Sequence, residues 1–159
     1  MNLQVSDHFT LEEVIQSAVA RRLAINNSLP PELYPTIQKT ALRLEKVRAI
    51  LGKPILVNSW YRCPELNAAV GSKPTSQHPK GEAVDFRCPQ FGTPQQICMF
   101  LMDYKDIIRW DQLVLEHTWV HISWNSIPSG EQRGQVLSLL QTGDYAKGLT
   151  DVYGQTLKG

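Results

Sequence analysis

The amino-acid sequence predicts an α+β fold, a single domain in which helices flank a small, mostly antiparallel β-sheet. Three observations lead to this prediction. Apolar residues recur at helical spacing in the first third of the chain, short apolar runs bounded by turn residues follow, and 159 residues suit one ordinary domain. We therefore expect residues 1–159 to form one domain, without a second sizeable unit.

The first third of the chain is predicted to contain two helices. Residues 10–13 read as a capping box, and the apolar residues after it recur at helical spacing, which predicts a helix over about residues 11–22. The Pro-Pro pair at residues 30–31 favours the first turn of a second helix that ends near Gly52. The buried stripe of this second helix is expected to consist of Leu33, Ile37, Leu42, Leu44, Val47 and Ile50.

Shorter elements are expected in the rest of the chain. Apolar runs of four to eight residues favour strands, and a Thr-Pro-Gln-Gln sequence favours the start of a helix. In chain order, we expect a strand at residues 55–59, a helix at 64–70, a strand at 82–87, a helix that starts at 93–96, and a hairpin of 112–116 and 119–124. The tail from residue 125 has a mixed composition, with one apolar segment at residues 136–140.

Three residues have the chemistry of a catalytic metal site. His78, Asp85 and His121 offer two imidazoles and one carboxylate, a ligand set that suits zinc with the fourth position open to water. Gly81 lies where the loop before Asp85 must turn tightly into a strand, a position that favours glycine. The sequence therefore predicts a zinc site.

The alternation of side chains along two predicted strands supports this ligand set. Asp85 points to one face of the strand at residues 82–87, while its apolar neighbours point to the other. His121 likewise alternates with apolar residues in the strand at 119–124. Pairing of these two strands would bring His121 beside Asp85, and His78 would reach in from the preceding loop.

The ordered motifs resemble those of a known family. The pattern S-x-H-x-x-G-x-A-x-D at residues 76–85, with W-V-H at 119–121, is similar to the M15 family of zinc D-Ala-D-Ala carboxypeptidases and L-alanyl-D-glutamate endopeptidases, particularly its phage-associated branch. The resemblance runs from about Ser6 to about Trp124 and leaves residues 125–159 as a less certain C-terminal extension. Further segments that resemble this branch are residues 7–13, 44–48, 57–62, 66–71 and 111–113.

A zinc hydrolase also needs a group that takes a proton from the attacking water, and Glu116 is the candidate. It lies five residues before His121, near the tip of the predicted hairpin. Some M15 members have a catalytic Glu three residues before the final ligand, a position that Thr118 occupies here. Glu82 is the second candidate, and Asp111 is more distant in sequence.

Three further residues are candidates for substrate binding. Arg62 matches the family's arginine that binds a substrate carboxylate, and the planar guanidinium suits two charge-assisted hydrogen bonds. Ser76 could donate another hydrogen bond, and Gln112 could line the cleft. The structural alternatives are that Arg62 anchors Glu65 or a helix end and that Ser76 caps the loop.

These residues together predict zinc-assisted hydrolysis of a peptide bond in peptidoglycan stem peptides. Whether the enzyme is a carboxypeptidase or an endolysin-like endopeptidase depends on the shape of the cleft beyond the substrate terminus. Two alternatives remain: a non-catalytic module that holds zinc and binds the cell wall or belongs to a phage particle, and a hydrolase of small dipeptides or another amide.

Composition and charge limit the partners. A net charge of +1 and a pI near 7.7 give no extended basic surface, so nucleic acid is not an expected partner. We expect a monomer without a membrane span. The three cysteines are expected to be free thiols, and a disulfide between two of them is the alternative. The N-terminus lacks a signal peptide, so the protein is expected to be made in the bacterial cytoplasm and to reach the wall through a holin or as part of a phage particle.

Overall fold

Six α-helices and six β-strands follow one another along residues 3–157, the part of the chain that the computed structural model describes. The helices are α1 Leu11–Ile15, α2 Ala18–Leu23, α3 Tyr34–Leu51, α4 Pro64–Ala69, α5 Pro94–Met102 and α6 Lys105–Ile108. The strands are β1 Leu56–Ser59, β2 Ala83–Arg87, β3 Gln112–Leu115, β4 Val120–Ser123, β5 Gln135–Leu139 and β6 Tyr145–Lys147. Two short 3-10 turns, Pro31–Leu33 and His78–Lys80, precede α3 and β2.

The six strands form one sheet in the order β1-β2-β4-β3-β5-β6. Every neighbouring pair is antiparallel except β3 with β5, which run parallel. The fold is therefore a single α+β domain with a mostly antiparallel sheet, which confirms the predicted class. The predicted hairpin is also present, as β3 and β4.

The single helix predicted over residues 11–22 is wrong, because the chain forms two helices there. Gln16 has an extended backbone, and the Ser17 hydroxyl accepts a hydrogen bond from the amide of Ala20 to begin α2. The carbonyl of Ile15 accepts a hydrogen bond from the Asn27 side chain at 2.8 Å. Helical spacing of the apolar residues did not reveal this break, since Ser17 serves as a second cap.

The second predicted helix begins with the 3-10 turn and continues as α3 to Leu51, where Gly52 ends it in the left-handed conformation. Ile37, Leu44 and Val47 are fully buried, as predicted. Leu42 was wrongly assigned to the buried stripe: its side chain is 66% exposed, and Ala41 lies in the core instead. Five residues after Ile37, Leu42 is rotated about 140° around the helix axis, away from the sheet.

The two faces of the sheet have different roles. One face is apolar, and α5 packs against β3 and β4 on the same side of the molecule. The fully buried strand residues on this apolar face are Val84, Phe86, Leu113, Val120 and Ile122. The opposite face carries the polar residues of a cleft. Cys63, Cys88 and Cys98 are free thiols, as predicted, and within residues 3–157 no helix is long and apolar enough to cross a membrane.

Candidate active site

A row of paired residues crosses the cleft face of the sheet. Asp85 on β2 pairs with His121 on β4. His121 also pairs with Val114 on β3, which in turn pairs with Leu137 on β5. Residues that lie directly opposite each other point to the same face, so the row stands on one side of the sheet. This register confirms the expectation that strand pairing brings His121 beside Asp85.

His78 reaches this row from the 3-10 turn that precedes β2. Gly81 ends the turn at φ +74°, a conformation that favours glycine, and a Cβ atom there would lie 2.8 Å from Ile37 Cδ1, so the Ile37 side chain on α3 would have to move. The Thr40 hydroxyl donates a hydrogen bond to the carbonyl of Gly81 and fixes the turn to α3. The predicted role of Gly81 as a tight turn is confirmed.

The tautomer of His78 follows from its hydrogen bond to the backbone. Its Nδ1 lies 2.6 Å from the carbonyl oxygen of Trp60, which can only accept, so Nδ1 carries the proton and donates. Burial lowers the pKa of His78, although Asp85 acts in the opposite direction. The neutral ring therefore presents an unprotonated Nε2 on its other side.

The unprotonated Nε2 atom of His78 faces a lone pair of the Asp85 carboxylate. It is buried, has no hydrogen-bond partner in the described part of the chain, and lies 3.2 Å from Asp85 Oδ2. Burial raises the pKa of Asp85, but the two neighbouring imidazoles outweigh burial and hold the pKa below its usual value. An imidazole lone pair beside an ionised carboxylate is an arrangement that a bound cation would stabilise.

His121 completes a set of three ligand atoms that fits a metal ion. His121 Nδ1 lies 2.9 Å from Asp85 Oδ1, and one donor atom from each of His78, Asp85 and His121 lies within 4.8 Å of the other two. Two imidazole nitrogens and a carboxylate oxygen are the donors that zinc favours in catalytic sites. The hydrogen bond from His78 to Trp60 supplies the outer support that orients such a ligand.

The cluster opens into a cleft of about 610 Å³. Loop 70–77 forms one wall, and β3, β5 and β6 form the other. Of the described residues, Asp85 and Glu116 are the only acidic ones that line it. Three basic side chains, those of Arg62, Lys73 and Arg133, also line it. The cleft therefore suits a substrate with at least one anionic group.

Arg62 lies beside the cluster. Its backbone amide donates to the carbonyl of His78 at 3.4 Å, and its buried Nε atom has no hydrogen-bond partner among the residues that the structure describes. Within residues 3–157, no ion pair joins Arg62 to Glu65, which was its structural alternative. The half-buried guanidinium of Arg62 forms no ion pair with any described residue, although the Asp85 carboxylate acts on it electrostatically, so it is suited to bind a carboxylate of a ligand.

Glu116 follows the last residue of β3 and is half-buried in the cleft. Its backbone amide donates to the carbonyl of Trp119, which closes the β3–β4 hairpin, and the Tyr145 hydroxyl lies 3.2 Å from each carboxylate oxygen. Burial raises the pKa of Glu116, and the Asp85 carboxylate raises it further, against the opposing effects of His121 and Tyr145. A raised pKa suits a group that exchanges protons near neutral pH.

Glu82 and Asp111, the alternative candidates for the base, form other contacts and do not line the cleft. Glu82 is 3% exposed, and its Oε2 accepts hydrogen bonds from both the amide and the hydroxyl of Ser126. Asp111 is fully buried and forms an ion pair with Arg133, whose Nη2 lies 2.7 Å from Oδ2. Thr118, at the position where some family members carry Glu, lines a separate cavity of about 220 Å³.

The two polar candidates for substrate binding both line the cleft. The Ser76 hydroxyl accepts a hydrogen bond from the amide of His78 at 3.2 Å, so it also contacts the first residue of the 3-10 turn. The Gln112 side chain donates to Gln135 Oε1 at 2.7 Å and joins β3 to β5. A role for either residue with substrate stays a prediction.

The cleft residues that were not predicted include four from the C-terminal segment: Arg133, Leu137, Leu139 and Tyr145. Leu137 and Leu139 share one face of β5, and their alternation was a usable signal within the predicted apolar segment. No local pattern links Tyr145 to Glu116, because the contact depends on the pairing of β5 with β3 and of β6 with β5.

A buried cluster of two His and one Asp at the floor of an open cleft, next to a half-buried Glu, defines a metal-dependent hydrolase. The family comparison agrees. The chain belongs to the Peptidase M15 family, whose model matches residues 7–123. Peptidases of this family are metal-dependent, typically with zinc, so the chain has the general role of a zinc peptidase. No curated protein matches the chain.

Proposed function

We propose that the protein hydrolyses a peptide bond in peptidoglycan stem peptides, with zinc held by His78, Asp85 and His121. The observation that carries this proposal is the shared cleft, which is lined by His78, Asp85 and His121, by the Glu116 carboxylate and by Arg62. The Nε atom of Arg62 has no hydrogen-bond partner among residues 3–157. Stem peptides suit such a cleft because they carry free carboxylates next to their amide bonds.

When bound, zinc supplies a Lewis acid that polarises a carbonyl group and makes water a better nucleophile. Glu116 accepts a proton from the attacking water as the new carbon–oxygen bond forms. The same carboxyl group then returns the proton to the amine nitrogen as the carbon–nitrogen bond breaks. The other carboxylates named as candidates, Glu82 and Asp111, are held away from this cleft by Ser126 and Arg133.

Arg62 binds and orients the substrate in this proposal. Its guanidinium makes hydrogen bonds to a substrate carboxylate, which replaces the protein partner that the side chain lacks. Ser76 and Gln112 add polar contacts along the cleft wall. Fixing the substrate at one end places the scissile amide between the donor cluster and Glu116.

The test is incubation of zinc-loaded protein with purified peptidoglycan, followed by mass analysis of the released fragments and of newly exposed amines. Release of D-Ala identifies a carboxypeptidase, and a new amino terminus on D-Glu identifies an L-Ala-D-Glu endopeptidase. Zinc-loaded Glu116→Gln is the matched control, because it preserves the size of the side chain and should release far less.

Two outcomes would replace the proposal. Cleavage of small D-amino-acid dipeptides but not of peptidoglycan would favour a hydrolase of small peptides. A protein that holds one zinc and cleaves neither substrate would favour the non-catalytic module.

A further inference from the structure

The C-terminal strands β5 and β6 lie outside the part of the chain that matches the family, which ends at residue 123. They nevertheless belong to the catalytic sheet. Leu137 continues the row that starts at Asp85, and Leu139 on β5 pairs with Tyr145 on β6. Leu137, Leu139 and Tyr145 all line the cleft, so this segment forms part of its wall.

Side-chain hydrogen bonds hold this segment in a fixed position. Asp111 accepts from the backbone amide and the guanidinium of Arg133, just before β5. The buried hydroxyl of Ser138 donates to the carbonyl of Gly148 and accepts from the amide of Thr150, just after β6. These bonds restrict where β6 can lie relative to Glu116.

The Tyr145 hydroxyl meets Glu116 symmetrically, at 3.2 Å from each carboxylate oxygen. Burial first, and the charge of Glu116 next, raise the pKa of Tyr145 to about 12, so the hydroxyl keeps its proton and acts as the donor at neutral pH. A glutamate side chain has three rotatable bonds and loses freedom when its end is anchored. The contact thus selects one orientation of the carboxylate.

We propose that Tyr145 is a positioning residue that holds the Glu116 carboxylate in the orientation needed for proton transfer. The role rests on the proposed function, because it acts through Glu116. It makes turnover depend on β6, a strand that the family match does not include. Correct orientation of a proton-transfer group acts on the rate of the chemical step more than on substrate affinity.

The decisive variant is Tyr145→Phe, which keeps the ring and removes only the hydroxyl. With peptidoglycan fragments as substrate, we expect kcat to fall about tenfold, the lower end for a hydrogen bond to a charged group, while KM and zinc content stay within about twofold. Tyr153→Phe is the matched control, since Tyr153 is 76% exposed in the same segment and does not line the cleft. It should leave kcat unchanged.

A double variant separates positioning from direct contact with substrate. If Tyr145 acts through the Glu116 carboxylate, adding Tyr145→Phe to Glu116→Gln should cause little further loss of kcat. An equal loss in both backgrounds would overturn positioning and make Tyr145 a substrate contact. Wild-type kcat in Tyr145→Phe would also overturn it.

A spectroscopic readout tests the same contact without turnover. In the metal-free protein, the side-chain carboxyl carbon of Glu116 can be titrated by NMR. Removal of a donor that favours the carboxylate should raise the pKa of Glu116 in Tyr145→Phe. The groups that act electrostatically with Glu116 and stay unchanged in this variant are Asp85, Cys98, His117 and His121.

The two hypotheses fail in different ways. Wild-type protein that cleaves no peptide would contradict the proposed function and remove the role of Tyr145 with it. Active wild-type protein, with a Tyr145→Phe variant that matches it in kcat and in the titration of Glu116, would contradict the role of Tyr145 alone.

Discussion

His121 and Asp85 are direct cross-strand partners on β4 and β2, and His121 Nδ1 lies 2.9 Å from Asp85 Oδ1. The register of an antiparallel pair therefore sets the distance between two of the three candidate ligands. His78 is fixed separately, by its bond to the carbonyl of Trp60 and by the turn at Gly81. The donor set is thus held by the backbone of the fold, not by flexible loops alone.

The donor cluster predicts about one zinc ion per chain. His78→Ala, Asp85→Ala and His121→Ala should each retain far less zinc after dialysis, because three protein ligands hold a catalytic zinc and loss of one leaves two. His117→Ala is the matched control, since His117 is exposed and lies outside the cluster. Metal content can be measured by atomic emission. Near-normal zinc in all three ligand variants would contradict the site.

The unpaired guanidinium predicts a defect in substrate use for Arg62→Lys. Lysine keeps the charge but loses the planar fork, so kcat/KM should fall roughly ten- to a hundredfold while zinc content stays the same. Steady-state kinetics on the identified fragment provide the measurement. Arg22→Lys, on the exposed surface of α2, should behave as wild type. Unchanged kinetics in Arg62→Lys would make Arg62 a structural residue.

The position of Glu116 predicts that Glu116→Gln separates turnover from metal binding. The variant preserves size but removes the base, so turnover should fall roughly a hundredfold or more with zinc content close to wild type. Glu131→Gln, at an exposed position outside the cleft, is the control. Wild-type rates in Glu116→Gln would exclude Glu116 as the base and leave Glu82 and Asp111 as the candidates to test.

The ion pair between the fully buried Asp111 and the partly exposed Arg133 predicts a pH-dependent loss of stability in Asp111→Asn. Burial raises the pKa of Asp111, but hydrogen bonds from Arg133 outweigh burial and lower it below its usual value. The carboxylate therefore stabilises the fold above the usual carboxyl pKa, and this contribution is lost as the pH falls through the folded-state pKa. At neutral pH the variant should lose about 1.5 kcal/mol in the free energy of unfolding, because it loses charge-assisted hydrogen bonds to a partly exposed partner.

Urea unfolding of wild type and Asp111→Asn at several pH values provides the measurement for this prediction. The difference between the two proteins should shrink as the pH becomes acidic. Asp103→Asn, an exposed position at the end of α5, should show no such difference. A constant difference at all pH values would show that the charge of Asp111 is not what stabilises the fold.

The donor set and the strands that carry it were predictable because short-range patterns encode them. Alternation along the chain placed Asp85 and His121 on one face, and the actual register agrees. The division of the first helix was not predictable in this way, because the bond from Asn27 to the carbonyl of Ile15 spans twelve residues. Leu42 was misassigned since its neighbour Ala41 fits the stripe better.

The C-terminal wall of the cleft could not be read from the sequence for a related reason. The contact between Tyr145 and Glu116 spans 29 residues and depends on two successive strand pairings. The ion pair between Asp111 and Arg133 is also non-local, because 22 residues separate them. Single-residue spacing carries little information on contacts of this kind. Asp85 and His121 are 36 residues apart, but they belong to sequence motifs that resemble those of a known family.

The parallel pairing of β5 with β3 also affects how the protein avoids aggregation. Without β5, the strand Gln112–Leu115 would become the border of the sheet and expose unpaired amides beside three buried apolar residues. Such a border can recruit strands from other chains. The actual border on this side is β6, a three-residue strand ending in Lys147. A chain shortened before Gln135 should therefore form insoluble assemblies as well as lose its cleft wall.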